Sequence, residues 1–264
     1  IYEINDGNII SIHNNTFEYC TKLKTIKIPS SITAIGNATF ANCVNLDSVH
    51  LPSSVNLIGS YAFRNCTNLK AINLESVQHI DKYAFEQCKN LEKIILSNAR
   101  EIREYAFSEC TKLKTVEIPN TIDTIRNYVF YSCSGIEKLS IGNNVKSIGN
   151  YAFYKCMKLD SLEFPSATTT IGIAAFEKCT NLSSITFGEN LLTISDYAFN
   201  NCKKLKSIAF KSIYPPKVFK NTWKNSSKDL VISLPLGSDE NYVSFLGIEK
   251  MIPEIKKEIV VTPI

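Results

Sequence analysis

The sequence predicts a solenoid of stacked, mostly β coils of the α/β type, and three observations predict it. Nine cysteines recur every 22 or 23 residues through a chain of 264: Cys20, Cys43, Cys66, Cys88, Cys110, Cys133, Cys156, Cys179 and Cys202. A Phe stands three residues before each of them, from Phe17 to Phe199. Around each Phe–Cys pair, further apolar residues keep register: Ile five before the Phe, Leu or Ile three after the Cys, and apolar side chains six and eight after it. A unit this short cannot bury six apolar side chains by itself, whereas stacked units cover one another.

Each element follows from the pattern. At the front, Tyr2 and Ile4 read as a strand of an incomplete coil. The step six and eight after Cys (Ile26 and Ile28, Val49 and Leu51) has period two and predicts a short strand with its middle residue outward. Ile26, Val49, Ile72, Ile94, Val116, Leu139, Leu162, Ile185 and Ile208 should then line one buried column of a parallel sheet. Pro29, Pro52, Pro119 and Pro165, or Gly142 and Gly188, mark the turn that follows. The two 22-residue spacings test this register. Leu51 to Val55 is four residues, but Leu74 to Val77 and Leu96 to Ala99 are three, so the deletion falls in the turn and the buried columns stay aligned. In Y-A-F-x-x-C-x-x-L, the spacing of three puts Phe, Cys and Leu on one side of a helical or 3₁₀ turn.

The pattern lapses after residue 211. A 23-residue period calls for Phe at 222 and Cys at 225, where Thr222 and Asn225 stand. Residues 1–211 therefore form the solenoid and 212–264 a closing segment. That segment holds the only Trp (Trp223), the run Leu230 to Pro235, a Pro-Leu-Gly-Ser turn, and Tyr242, Val243, Ser244 and Phe245, which read as a short helix. A solenoid needs such a cap to hide its last apolar coil. The front shows no polar cap, and the chain begins at Ile1 without Met or an apolar leader, as expected of a mature or excised segment of a longer protein.

The unit L-x-x-I-x-I, followed by V-x-x-I-G-x-Y-A-F-x-x-C, resembles the BspA-like (treponemal-type) leucine-rich repeats over about residues 9–211. The resemblance implies a right-handed solenoid with a parallel sheet on its concave face and short turns between strands. It further implies a surface or secreted protein of a bacterium or protozoan, concerned with adhesion and binding of host proteins. The closing segment resembles the C-terminal caps of bacterial members.

Composition excludes several alternatives. With 44% hydrophobic and 20% charged residues the chain is too apolar for disorder, and its formal charge of +4 does not call for a nucleic acid. No apolar run approaches the roughly 18 residues of a membrane span. The odd number of cysteines argues against a fully paired disulfide framework. Zinc needs four ligands around a point, whereas stacked coils set equivalent residues in a line at about 4.8 Å. The cysteines read as a buried thiol ladder, with an occasional disulfide as the alternative. His13, His50 and His79 occupy three different repeat positions in three units, so stacking does not unite them. Nucleophile-elbow, zinc-protease, P-loop and dinucleotide motifs are missing from the sequence. No enzyme activity and no cofactor are expected. Tyr61, Tyr83, Tyr105, Tyr128, Tyr151 and Tyr197 form a column two before Phe, read as ring packing with wet hydroxyls or as an aromatic binding stripe.

The outward strand positions vary from unit to unit while the buried columns do not. Lys27, His50, Glu117 and Glu163 stand seven after Cys, and Lys93 five after. These five are the candidate contacts for a protein partner. The convex turns and the segment around Trp223 are the competing surfaces. Five Asn-x-Ser/Thr sequons (Asn14, Asn37, Asn65, Asn181 and Asn225) matter only in a glycosylating host. The expected function is non-catalytic protein binding at a cell surface or outside the cell. An intracellular scaffold, which the unpaired thiols support, and the binding region of a larger multidomain protein are the alternatives.

Overall fold

The computed structural model describes residues 2–3, 9–227, 229–242 and 258–262. Ile4, Val243, Ser244 and Phe245 lie outside them. The described chain is a parallel-stranded solenoid in which each coil makes two strand ladders and one hydrogen-bonded turn.

The first ladder is the anticipated one. Thr25–Lys27, Ser48–His50 and Ala71–Ile72 pair in parallel and in register, Thr25 with Ser48 and Ser48 with Ala71. Lys93 bridges Ala71 to Thr115, which opens the pair Thr115–Glu117 and Lys138–Ser140. Ser161–Glu163, Ser184–Phe187, Ser207–Phe210 and Val231–Pro235 form the next sheet along the same face, with Glu258–Thr262 on its outer edge. Tyr2–Glu3 pairs with Ile26 and Lys27 at the front. The whole Ile26-to-Ile208 column is buried, with Leu139 partly so.

The second ladder was not foreseen as strand. The Ile five before each Phe is the second residue of a two-residue strand: Ala34–Ile35, Leu57–Ile58, His79–Ile80 and Glu101–Ile102 form one sheet. Thr124–Ile125, Ser147–Ile148, Thr170–Ile171, Thr193–Ile194 and Lys217–Val218 form another. Two residues carry no alternation, so periodicity registers the buried Ile but not the strand.

The Phe turn is held by bonds of its own. Within a coil, Cys43 N–H donates to Phe40 O (3.1 Å) and Leu46 N–H to Cys43 O (2.9 Å), the i→i+3 pattern of a 3₁₀ turn. Helix does not propagate, because the residues two before and two after each Phe have positive φ: Tyr61 (61°) and Asn65 (56°), Tyr105 (61°) and Glu109 (60°). Nineteen non-glycine residues do so, at a cost of about 1–2 kcal/mol each for an L-residue with a Cβ. The gain is that alternate N–H groups point at the next coil: Tyr61 donates to Lys82 O (3.0 Å), Phe63 to Ala84 O (2.7 Å) and Asn65 to Glu86 O (2.7 Å). These bonds make a third inter-coil ladder, and buried amides are thereby paired. The only α-helix among the described residues is the single turn Asp239–Tyr242.

Inside the turns, the Phe rings from Phe17 to Phe199 stack at 5.1–5.5 Å with interplanar angles of 2–10°. The stack continues past residue 211. Trp223 lies on Phe199 at 4.9 Å, and Ser226 Oγ donates to Phe199 O (2.8 Å), as Cys202 Sγ does to Phe176 O (3.4 Å). A tenth coil therefore exists, shifted by one residue inserted in the turn before Lys217–Val218, where Thr193 pairs with Lys217. Beyond it come the expected strand, the Pro235-to-Ser238 turn (Ser238 N–H to Pro235 O, 3.2 Å) and the helical turn. Tyr242 closes this end, its ring against Phe210 and its hydroxyl donating to Ser212 O (3.0 Å).

Phe107 sits mid-stack and fully buried between Phe85 and Phe130. Phe107→Ala should cost about 3–5 kcal/mol in chemical unfolding, because neighbours fixed by three ladders cannot collapse into the cavity. A loss under about 1 kcal/mol would show that the stack carries little stability.

Candidate binding face

The first ladder presents its outward residues as one ordered surface. Lys27 lies directly across from His50, Glu117 from Ser140, and Glu163 from Thr186. Lys93 sits between Ala71 and Thr115 in the neighbouring column. All five candidate residues are exposed. The backbone beneath them is anchored by the buried residue between each outward pair, so the face is rigid while its side chains are free.

The face is not flat. Lys93 and Glu117 line an open groove of about 530 Å³, with Ile95, Asn120 and Asn143. His50 and Lys93 line a second of about 350 Å³, with Asn73 and Glu75. Glu163 lines a third of about 560 Å³, with Lys211. Lys27 lies outside these three. The structure thus draws His50, Lys93 and Glu117 into adjoining grooves and leaves Lys27 and Glu163 towards the two ends.

Pairing separates the charges further. Glu163 accepts from Lys211 Nζ at 2.9 Å, two coils away. Lys27, His50, Lys93 and Glu117 hold no ion pair among the described residues. On the second-ladder side the middle coils are cross-linked. Glu101 Oε1 meets Arg126 at 3.3 Å, Glu101 Oε2 meets Arg103 at 3.3 Å, Asp81 meets Arg103 at 3.4 Å, and Lys82 meets Glu104 at 3.4 Å. One outward residue is committed to the backbone: Asn73 accepts from Leu51 N–H (3.2 Å) and donates to Leu51 O (3.0 Å), completing the ladder where its own strand is one residue short.

The thiol column is a structural element. From Cys43 to Cys202, each Sγ donates to the carbonyl of the Phe one coil earlier at 3.0–3.5 Å. All nine cysteines are free, eight buried and Cys20 half-buried on the first coil. Burial pushes the Cys43 thiol up to about 11 and raises Cys66, Cys88, Cys110, Cys156, Cys179 and Cys202 as well. These thiols are protonated and shielded at neutral pH. No group of three or more His, Cys, Asp or Glu side chains among the described residues is placed to hold a metal ion. His79 faces Glu101 at 3.9 Å, with His13 and His50 elsewhere, so the histidines stay apart.

Comparison with known proteins agrees with this geometry. The family model of the BspA-type leucine-rich repeat region matches residues 3–114 and 100–227, with six copies. The chain belongs to the BspA-type leucine-rich repeat family. A crystal structure of a leucine-rich repeat protein from Bacteroides ovatus is 27% identical, with TM-score 0.62, over 86% of this chain and 70% of that one. The pneumococcal vaccine antigen PcpA is 18% identical, with TM-score 0.57, over 99% and 73%, a likeness of fold alone. No curated protein matches the sequence.

The BspA-type pattern also explains the tyrosines. Tyr61, Tyr83, Tyr105, Tyr128 and Tyr151 stack continuously at 4.5–5.0 Å, each in the positive-φ position before Phe. Ala174 ends the run, separating Tyr197 from it. Ring faces are spent on neighbouring rings, and partial burial raises the hydroxyl of Tyr105 to about 12. A second pair, Tyr131 on Tyr154 at 4.9 Å, carries Lys178, whose Nζ donates to Tyr154 Oη at 2.6 Å.

The thiols give a two-part prediction. A thiol-reactive dye should label Cys20 alone in the native protein and all nine cysteines after denaturation. The unfolded thiols titrate near 8.5–9, and Cys43, Cys66, Cys88, Cys110, Cys156, Cys179 and Cys202 higher in the fold, so the contribution of these seven to stability is complete below that pH and is lost as pH rises towards the folded values. Each thiol adds a slope of about 1.4 kcal/mol per pH unit in that window. Rapid native labelling of most sites, or stability flat from pH 8 to 10, would contradict the buried ladder.

Proposed function

We propose that this chain is a non-catalytic protein-binding module acting at a cell surface or outside the cell, and that its outward first-ladder face makes the contact. The observation that carries the reading is the distribution of ion pairs. Asp81, Lys82, Glu101, Arg103, Glu104 and Arg126 pair with one another on the second-ladder side, whereas Lys27, His50, Lys93 and Glu117 stand without an ion pair on a face whose backbone is already ordered. A partner docking there orders few side chains, so little conformational entropy opposes binding. Unpaired charges of both signs set register and speed encounter more than they add raw affinity. The surface placement and the adhesive role rest on the family resemblance.

The test is a combined reversal, Lys27→Glu, Lys93→Glu and Glu117→Lys, on exposed residues whose replacement should leave thermal stability nearly unchanged. Affinity for a protein partner recovered by cross-linking at the surface of the source cell should fall about tenfold or more, mostly through slower association at low salt. If affinity survives that change but is lost on replacing Tyr105 and Tyr128 by Ala, the turn face is the contact and this reading is wrong.

A further inference from the structure

Lysine and exposed apolar side chains coincide at the C-terminal end of the solenoid. Between residues 203 and 228 stand eight lysines and no Asp or Glu, whereas positive and negative residues nearly balance over residues 1–202. Lys203, Lys204, Lys206, Lys217, Lys220 and Lys224 are exposed and hold no carboxylate, and Lys211 alone of the described lysines in this stretch has an ion pair.

The same end exposes apolar side chains. In earlier coils the corner between the first and second ladders exposes polar residues, such as Ser30 and Thr33, Ser53 and Asn56, Asn143 and Lys146. In the last three it carries Leu192 (64% exposed), Ile213 (44%) with Tyr214 (65%), and Leu236 (68%). These corners belong to successive coils: Lys217 N–H donates to Leu192 O (2.8 Å), and Asn241 Nδ2 on the closing helical turn donates to Ile213 O (3.0 Å). Just beyond, Phe219 is 39% exposed with Lys217 Nζ over its ring at 4.9 Å.

We propose that this corner is a docking surface for an anionic lipid bilayer. Lysines alone would suit any polyanion. Exposed Leu and Ile beside an aromatic ring with a lysine over it need an apolar phase as well, and the interface of an anionic membrane offers both. Long lysine stems lie along apolar surface while their ammonium groups reach the headgroups. Residues 1–202 are nearly neutral and offer no comparable attraction, so contact is made at this end and the first-ladder face stays clear. No helix among the described residues is long and apolar enough to cross a membrane, so the attachment proposed is peripheral.

The experiment is co-sedimentation of the full chain with vesicles of phosphatidylcholine alone, or with 30% phosphatidylglycerol, at two salt concentrations. Binding should require phosphatidylglycerol, weaken at high salt, and fall at least tenfold in both Leu192→Ser/Tyr214→Ser and Lys217→Gln/Lys220→Gln. The control Lys22→Gln/Lys24→Gln, on exposed residues of the first coil, should bind as the parent does. No binding to either vesicle overturns the proposal. Full binding by the Leu192/Tyr214 variant, with equal retention of the parent on soluble polyphosphate, reassigns the patch to a soluble polyanion and overturns it too. An equal loss in the first-coil control would show diffuse charge attraction and has the same consequence. Each outcome is independent of protein binding through the first-ladder face, because no residue is shared.

Discussion

The structure depends on the bond from each Phe N–H to the carbonyl of the next coil. That bond, 2.7–2.9 Å from Phe17 onward, fixes the rise between coils at the turn, where there is no strand to fix it. It requires left-handed backbone on either side, and the molecule accepts that strain in every unit. With the rise set, the rings stack, the thiols reach the preceding carbonyl, and the two strand ladders fall into register. The cysteine is intelligible on the same terms: it is a small apolar side chain with one weak donor, opposite a carbonyl that also accepts the Cys N–H of its own coil. Ser226 makes the same bond in the tenth coil, which shows that the donor matters there and not the sulfur as such.

The sequence makes the buried architecture plain because one-dimensional stacking repeats every constraint nine times. Phe107 or Ile185 can be placed inside from its column alone. Three features resisted. The two-residue second ladder has no alternation to detect. The positive-φ positions are occupied by Tyr, Gln, Glu and Lys as readily as by Asn, so residue type does not signal them. The tenth coil was hidden by a one-residue insertion: counting 23 from Phe199 lands on Thr222, while 24 lands on Trp223, the residue that stacks. A large aromatic near the expected place, followed three residues later by Ser226, was the available signal.

The candidate face was legible as a set of positions but not as a set of roles. The pattern gave no sign that Glu163 is held by Lys211, because the pair spans two coils. Nor did it separate Asn73, which mends the ladder, from outward residues with free side chains. Charge is unevenly distributed: paired across the second ladder in the middle coils, unpaired at Lys27, His50, Lys93 and Glu117 on the first, and gathered as lysine at the end. A quasi-one-dimensional fold permits this, since each coil contacts only its neighbours and its outward residues can change without disturbing the stack.

The central claim is that the Phe turns are bonded between coils as firmly as the strands are. Hydrogen exchange of the native protein, read at residue level through the central coils, tests it directly. The account predicts that the N–H groups of Tyr83, Phe85, Gln87, Phe107 and Phe130 exchange as slowly as those of Val116 and Ile185 in the first ladder. Exchange of these turn amides within seconds, with the strand amides still protected, would contradict it.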